Sequence, residues 1–367
     1  MNKKASNLLK ALLILLCAVL LVVGIYVVYV LISFSRLPDN TTLEINNNQS
    51  KTMKSGVEYT AVTFNTAFGA YSTDFSFFMD TADWKDGTHT VGKYGKAIDR
   101  VHVIENVESQ AAVLRDIAAD FILLQEVDTD ATRSYHIDMA TYFEATFPFM
   151  NSTFAVNYHS AWLNYPILDP HGIANAGLLT MSRFNVESAE RVSYPIASDF
   201  SKFFDLDRCF TVDRIPVEGG KTLVLINSHM SAYDEGGVIR QKQLELLSSF
   251  IAEEYNKGNW VIIGGDFNHA LGEEYLDAYP SEQVVPVWAK VLDDSDLPSH
   301  FSIVKPENDK EEATCRSADT PYIEGYNYTT VIDGFIVSDN VEATATIYHT
   351  GYENSDHQPV ILTFTLK

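Results

Sequence analysis

A short apolar run, Trp260, Val261, Ile262 and Ile263, passes directly into Gly264-Gly265-Asp266-Phe267-Asn268-His269. An apolar run bounded by glycines reads as a buried strand, and the glycines let its end turn without a side-chain clash. Asp266 and Asn268 lie two positions apart, so in extended geometry they project to the same side. A carboxylate and an amide at one strand tip can take a proton from water and grip a phosphate oxygen. The chain closes with a second cluster of this kind, Ser355-Asp356-His357-Gln358-Pro359, which runs into the apolar strand Val360-Ile361-Leu362.

Other strand ends repeat the pattern. Asn65 follows Val62-Thr63-Phe64, Gln125 and Glu126 follow Leu123-Leu124, Asn227-Ser228-His229 follow Leu225-Ile226, and Asp333 follows Val331-Ile332. Any one of these is explained by the turn preference of Asn and Asp. Their recurrence is not. Further strand signals fall at Glu58 to Phe64, Phe121 to Leu124, Leu178 to Met181, Leu223 to Ile226 and Val331 to Val337. Apolar residues at three- and four-residue steps predict helices over Lys96 to Ala119 and Val238 to Tyr255, each leading into a strand with an acid at its far end. Strands outnumber helices, which predicts two packed sheets with helices on the outer faces.

The N-terminus carries a different signal. Lys3, Lys4 and Lys10 precede an uncharged stretch from Ala11 to Ser35, whose core to Ile32 would span about 33 Å as a helix. That is too long for a cleavable signal peptide, and Ile32-Ser33-Phe34-Ser35 is a poor cleavage site. Three lysines before the span against Arg36 after it predict a cytoplasmic N-terminus and an extracellular remainder at the cell membrane. The expected organisation is a cytoplasmic 1–10, a single-pass signal anchor at 11–35, a flexible polar stalk at 36–56 and one catalytic domain at 57–367. The chain carries a formal charge of −23; with the four cations of 1–36 set aside, the remainder carries −27. Such a surface repels polyanions and lowers the expectation of a nuclease. Only Cys209 and Cys315 lie beyond the anchor, so at most one disulfide can form there; Cys209, in an apolar strand, reads as a buried free thiol.

The ordered series Phe64-Asn65, Leu124-Gln125-Glu126, Asn175-Ala176-Gly177 with Ser182-Arg183, Ser228-His229, Gly265-Asp266-Phe267-Asn268, Ile332-Asp333 and Ser355-Asp356-His357 resembles the endonuclease/exonuclease/phosphatase superfamily. The resemblance covers about residues 57–367. It implies an α/β (α+β) fold, a four-layer αββα sandwich of two mostly antiparallel sheets, with the site at one edge. Carried over residue by residue, it makes Glu126 the main ligand of Mg²⁺ or Mn²⁺, with Asn65 and Asp356 close by, since these metals prefer hard oxygen donors. It has Asp266 orient or deprotonate the attacking water, Asn268 hold a phosphate oxygen, and His229 and His357 face the phosphate. Asp333 backs His357, and Asn175 and Arg183 join Asn268 and His229 in binding substrate. Ala67 stands where some abasic-site endonucleases carry an acid, which counts against a repair nuclease.

The reading that follows is a monomeric, membrane-anchored, metal-dependent phosphoesterase using direct attack of water. Its substrate would be a phosphorylated small molecule, a lipid headgroup or a nucleotide. The alternatives are a surface nuclease and a non-catalytic binding module on the same fold; full occupancy of the polar positions argues against the latter. His159 and His171 flank an aromatic, Pro-rich stretch with Trp162, Tyr165, Pro166 and Pro170, a candidate substrate loop; both histidines are expected at the surface, as is His269. Asp234 to Gly237 is expected to cap the helix that follows, with Arg240 and Gln243 supporting the His229 loop.

Overall fold

The computed structural model describes residues 3–196, 207–232 and 238–367. Helix α1 (Lys3–Ser33) is followed by β1 (Asn40–Thr42), β2 (Glu58–Asn65), the short hairpin β3 (Thr81–Asp83) and β4 (His89–Val91), and α2 (Arg100–Ile117). Next come β5 (Phe121–Asp128), α3 (Met139–Thr146), β6 (Asn151–Leu163), β7 (Gly172–Ser182), β8 (Ser188–Ser193), β9 (Cys209–Val217) and β10 (Lys221–His229). Helix α4 (Val238–Asn256) leads to β11 (Trp260–Asp266) and β12 (Phe301–Val304). The chain ends with β13 (Cys315–Arg316), β14 (Thr329–Thr330), β15 (Asp333–Ser338), β16 (Val341–Ile347) and β17 (Val360–Leu366).

Two sheets face each other. One has six strands in the order β16-β17-β2-β5-β7-β6, the other seven in the order β1-β8-β9-β10-β11-β15-β12. Each has one parallel pair at its centre, β2 with β5 and β10 with β11, and each pair is joined through a helix, α2 or α4. Parallel neighbours need such a crossover; the remaining pairs are antiparallel and do not.

The pleat sorts the layers. Val62, Phe64, Ile122 and Leu124 pack under α2 through Val103, Val107, Ala111 and Leu114, while Ala61, Phe121 and Leu123 face the second sheet. Burial of each such aliphatic side chain contributes about 1.5–3 kcal/mol. Leu247 and Ile251 of α4 join the core of the second sheet. The layers are therefore helix, sheet, sheet, helix, as expected from the sequence. Helix α2 starts later than its apolar pattern because Asp99 caps it, accepting from the backbone N–H groups of Val101 and His102.

Residues 36–56 depart from the flexible stalk expected of them. β1 pairs antiparallel with β8, Asn46 bridges Ser152, and Met53 is fully buried against β9. Leu43, Ile45 and Met53 supply the apolar side chains that seat an otherwise polar segment on the core. Helix α1 is long and apolar enough, by length and composition, to cross a membrane. Cys209 and Cys315 are both buried free thiols.

Candidate active site

Period-2 alternation decides which tip residues face the gap between the sheets. On β2 and β5, Asn65 and Gln125 follow the inward rows of Ala61 and Leu123. On β10 and β11, registered in parallel so that His229 sits beside Asp266, both continue rows that face the first sheet. β15 pairs with β11 so that Asp333 lies directly opposite Asp266. A side chain at Gly265 would put its Cβ 2.0 Å from the Ser228 carbonyl oxygen, so only glycine lets β11 run this close to β10.

Glu126 reaches the same spot by another device. Register between β5 and β7 shifts between Leu124 and Val127, and Glu126 takes φ 54°. A bulge with a left-handed residue costs of order 1–3 kcal/mol and re-aims the side chain. The result is convergence. Asn65 Nδ2 donates to Asp266 Oδ2 (2.9 Å) and to Glu126 Oε1 (3.4 Å). His229 Nε2 lies 3.3 Å from Asp266 Oδ2 and 4.0 Å from Glu126 Oε1. His357 Nδ1 bonds Asp333 Oδ2 at 2.8 Å, and its Nε2 lies 3.9 Å from Asp266 Oδ2. Ser355 Oγ fixes this last turn by donating to the Asn65 carbonyl and accepting from the His357 N–H.

The Asn268 backbone N–H donates to Asp266 Oδ1 (2.8 Å), and its side-chain amide donates to the Met230 carbonyl (2.9 Å). Arg240 donates to the Asn268 carbonyl and so supports this turn. Gln243 supports the His229 loop, accepting from the Ser231 N–H and donating to its hydroxyl. Residues 234–237 lie outside the described residues.

Burial and charge set the protonation states. Burial would push the Glu126 carboxyl up, but the charges of His229, Arg133, Arg208 and His357 outweigh it and leave it below the usual range. Asp266 is driven down far more strongly against its burial, by His229, His357 and the Asn268 N–H. His229 is held below the ordinary imidazole range by burial and by the Arg208 charge. His357 goes the other way: burial opposes its charge, but Asp333, Cys315 and Asp356 hold its proton well above the ordinary range. Asp356 is raised to about 6, chiefly by burial.

The donor set fits a divalent cation. Asp356 Oδ1 is buried with no hydrogen-bond partner among the described residues, an arrangement that costs about 1–3 kcal/mol unless something completes it. Asp266, Asp333 and His357 also bring ligand atoms within 4.8 Å of one another. Those three, however, are already engaged in the imidazole chain, whereas Glu126 and Asp356 Oδ1 are not. Asn65 offers N–H groups to the carboxylates and accepts from the Ala67 N–H through Oδ1 (2.9 Å). In this arrangement its amide organises the acids.

Three expectations need correcting. Arg183 lies at the opposite end of the sheet, exposed, donating to the Ala119 and Ala118 carbonyls after α2, and so cannot touch this site. His171 and His269 are buried: His171 bonds the Gly95 carbonyl and packs among the rings of Phe68, Phe77, Phe78 and Tyr158, and His269 bonds the Phe267 carbonyl two residues back. Asn175 lies at the correct end, its backbone carbonyl accepting from Thr129 just past Glu126. Gln125 and Asn227 bond each other across the core at 2.8 Å and pin the two sheets together.

Sequence reasoning missed three buried arginines whose charges act on the site, Arg133, Arg208 and Arg316. Arg133 pairs with Asp128 at 2.7 Å, and the charge of Arg316 acts on Asp356. The available signal was an arginine beside an apolar strand start, as in Arg208-Cys209-Phe210 and Cys315-Arg316.

A model of the endonuclease/exonuclease/phosphatase family matches residues 62–357, spanning every site residue named above. The chain belongs to this family. It is accordingly an enzyme of the phosphoester-hydrolysing class. Among solved structures, an endonuclease/exonuclease/phosphatase from Beutenbergia cavernae superposes with TM-score 0.54 at 17% identity, covering 84% of this chain and 72% of that one. ANGEL2, a 2',3'-cyclic phosphatase solved with adenosine-2',3'-vanadate, gives 0.51 at 12% identity and 89% and 99% coverage. D. rerio TDP2 with a single-strand DNA product gives 0.51 at 15% identity and 84% and 99% coverage. At these identities the likeness carries the fold alone. No curated protein sequence matches significantly.

Proposed function

We propose that this chain is a membrane-anchored, divalent-metal-dependent phosphoesterase that hydrolyses its substrate by direct attack of water. The observation that carries the reading is the contact of Asn65 with both Glu126 and Asp266, beside His229 and His357. Glu126 and Asp356 are the residues that would hold Mg²⁺ or Mn²⁺; a cation there neutralises phosphate charge that would otherwise repel the nucleophile.

The chain's own groups divide the remaining work. The strongly lowered Asp266 is too weak a base to draw much driving force from proton transfer, so it orients the water. His357, kept charged by Asp333, faces the phosphate as an imidazolium donor, and His229 adds an Nε2–H beside the same carboxylate. The remaining amide N–H of Asn268 serves a non-bridging oxygen. α1 holds the enzyme in the bilayer, with its N-terminal lysines on the cytoplasmic side.

The substrate is a phosphorylated small molecule, a lipid headgroup or a nucleotide. A nuclease reading draws on the neighbour solved with a DNA product, against the acidic surface of this chain. The test is hydrolysis of bis(p-nitrophenyl) phosphate, plasmid DNA, sphingomyelin and phosphoinositides by the full chain, with and without chelator. EDTA should stop turnover and Mg²⁺ or Mn²⁺ restore it; turnover indifferent to chelation contradicts the metal assignment.

A further inference from the structure

The loop between β6 and β7 is held rigidly at its base and apolar at its tip. Asp169 accepts from the Gly95 N–H and pairs with Lys96 at 3.2 Å, and the Tyr165 ring packs on Phe78 with centroids 5.5 Å apart. Between these fixed points the tip presents Ile167, 74% exposed, and Leu168, 97% exposed. A fixed loop that displays two adjacent aliphatic side chains to water is costly unless something covers them.

What lies beside it is the C-terminal end of α1. The Tyr26 hydroxyl donates to the Trp162 carbonyl (3.0 Å) and accepts from the Asn164 N–H (3.0 Å), while the Tyr29 hydroxyl accepts from the Trp162 N–H (3.1 Å). Tyr26 and Tyr29 both lie in the last two turns of the apolar stretch that ends at Ile32. Tyr and Trp side chains gather towards the ends of such a span, at the membrane–water interface. The loop also leaves the sheet at the catalytic end, since β7 begins beside the tip of β5.

We propose that the Trp162–Leu168 loop is a second membrane contact, seated in the interfacial layer at the C-terminal end of α1, which holds the catalytic rim against the bilayer surface. The inference rests on the anchoring of α1 proposed above. It places phosphoesters carried by the bilayer nearest the site.

The test uses the full chain reconstituted in phosphatidylcholine vesicles, with Cys17→Ala and an environment-sensitive fluorophore on a single introduced cysteine. Cys209 and Cys315 are buried and stay unlabelled. Labels at Leu168→Cys and Ile167→Cys should be quenched by doxyl lipid several-fold more, and by aqueous iodide several-fold less, than a label at Phe149→Cys, which is 83% exposed at the far end of β6. A label at Leu20→Cys reports the anchor itself. Loop labels that behave like Phe149→Cys while Leu20→Cys is lipid-quenched overturn the loop contact and leave the anchor standing. Loss of lipid quenching at Leu20→Cys as well overturns both. Loop labels shielded from both quenchers mean that protein covers the tip, which also overturns the proposal.

Discussion

The two ends of the sandwich carry the same residue types in opposite states. At the far end, Thr60 and Asp120 exchange two hydrogen bonds, Arg183 closes the carbonyls after α2, and Trp260 donates to the C-terminal Lys367 carbonyl. These polar groups are satisfied locally. At the catalytic end, His229 Nδ1, Asp333 Oδ1 and Asp356 Oδ1 are buried without hydrogen-bond partners among the described residues, and Glu126 and Asn268 take positive φ. A polar residue ending a strand is ordinary at either end. The marks of function are unsatisfied burial and backbone strain maintained together at one place.

The comparison breaks first at the catalytic end. His229→Ala removes a buried imidazole that touches two acids, so hydrolysis should fall by about 10²–10⁴-fold with the fold retained by circular dichroism. A modest loss would make His229 a packing residue like those of the far end.

A second acid, Asp213 on β9, sharpens the contrast, because it is buried between the sheets with Thr153 as its donor. Burial raises its carboxyl to about 7, well above the unfolded value. The folded state therefore binds the extra proton, and stability falls as pH rises from about 4 through about 7, by on the order of 2–4 kcal/mol. Asp213→Asn escapes this loss. Its thermal midpoint relative to the parent should rise between pH 5 and pH 8, and a difference independent of pH would show that Asp213 keeps its ordinary titration. The smallest effect belongs to the far end: Arg183→Ala should leave turnover within about twofold, and a larger loss would return it to substrate binding.

The same contrast explains what could be read from the sequence. Asn65, Glu126, His229, Asp266, Asp333 and His357 were legible because each borders an apolar run, and period-2 alternation carries most of them to one face. Arg183 has an identical local signature, and only the direction of β7 sends it to the wrong end. The burial of 36–56 was illegible because three apolar residues in a polar segment give no periodicity. Arg133, Arg208 and Arg316 were missed for a related reason: they lie outside the tip series and act through charge, Arg208 and Arg316 on side chains distant in sequence.

The central claim is that these strand tips form one hydrolytic centre organised around Asp266. Turnover of bis(p-nitrophenyl) phosphate by Asp266→Ala in Mg²⁺ tests it most directly. The account predicts a loss of about a thousandfold or more with the fold intact; activity within about tenfold of the parent would contradict it.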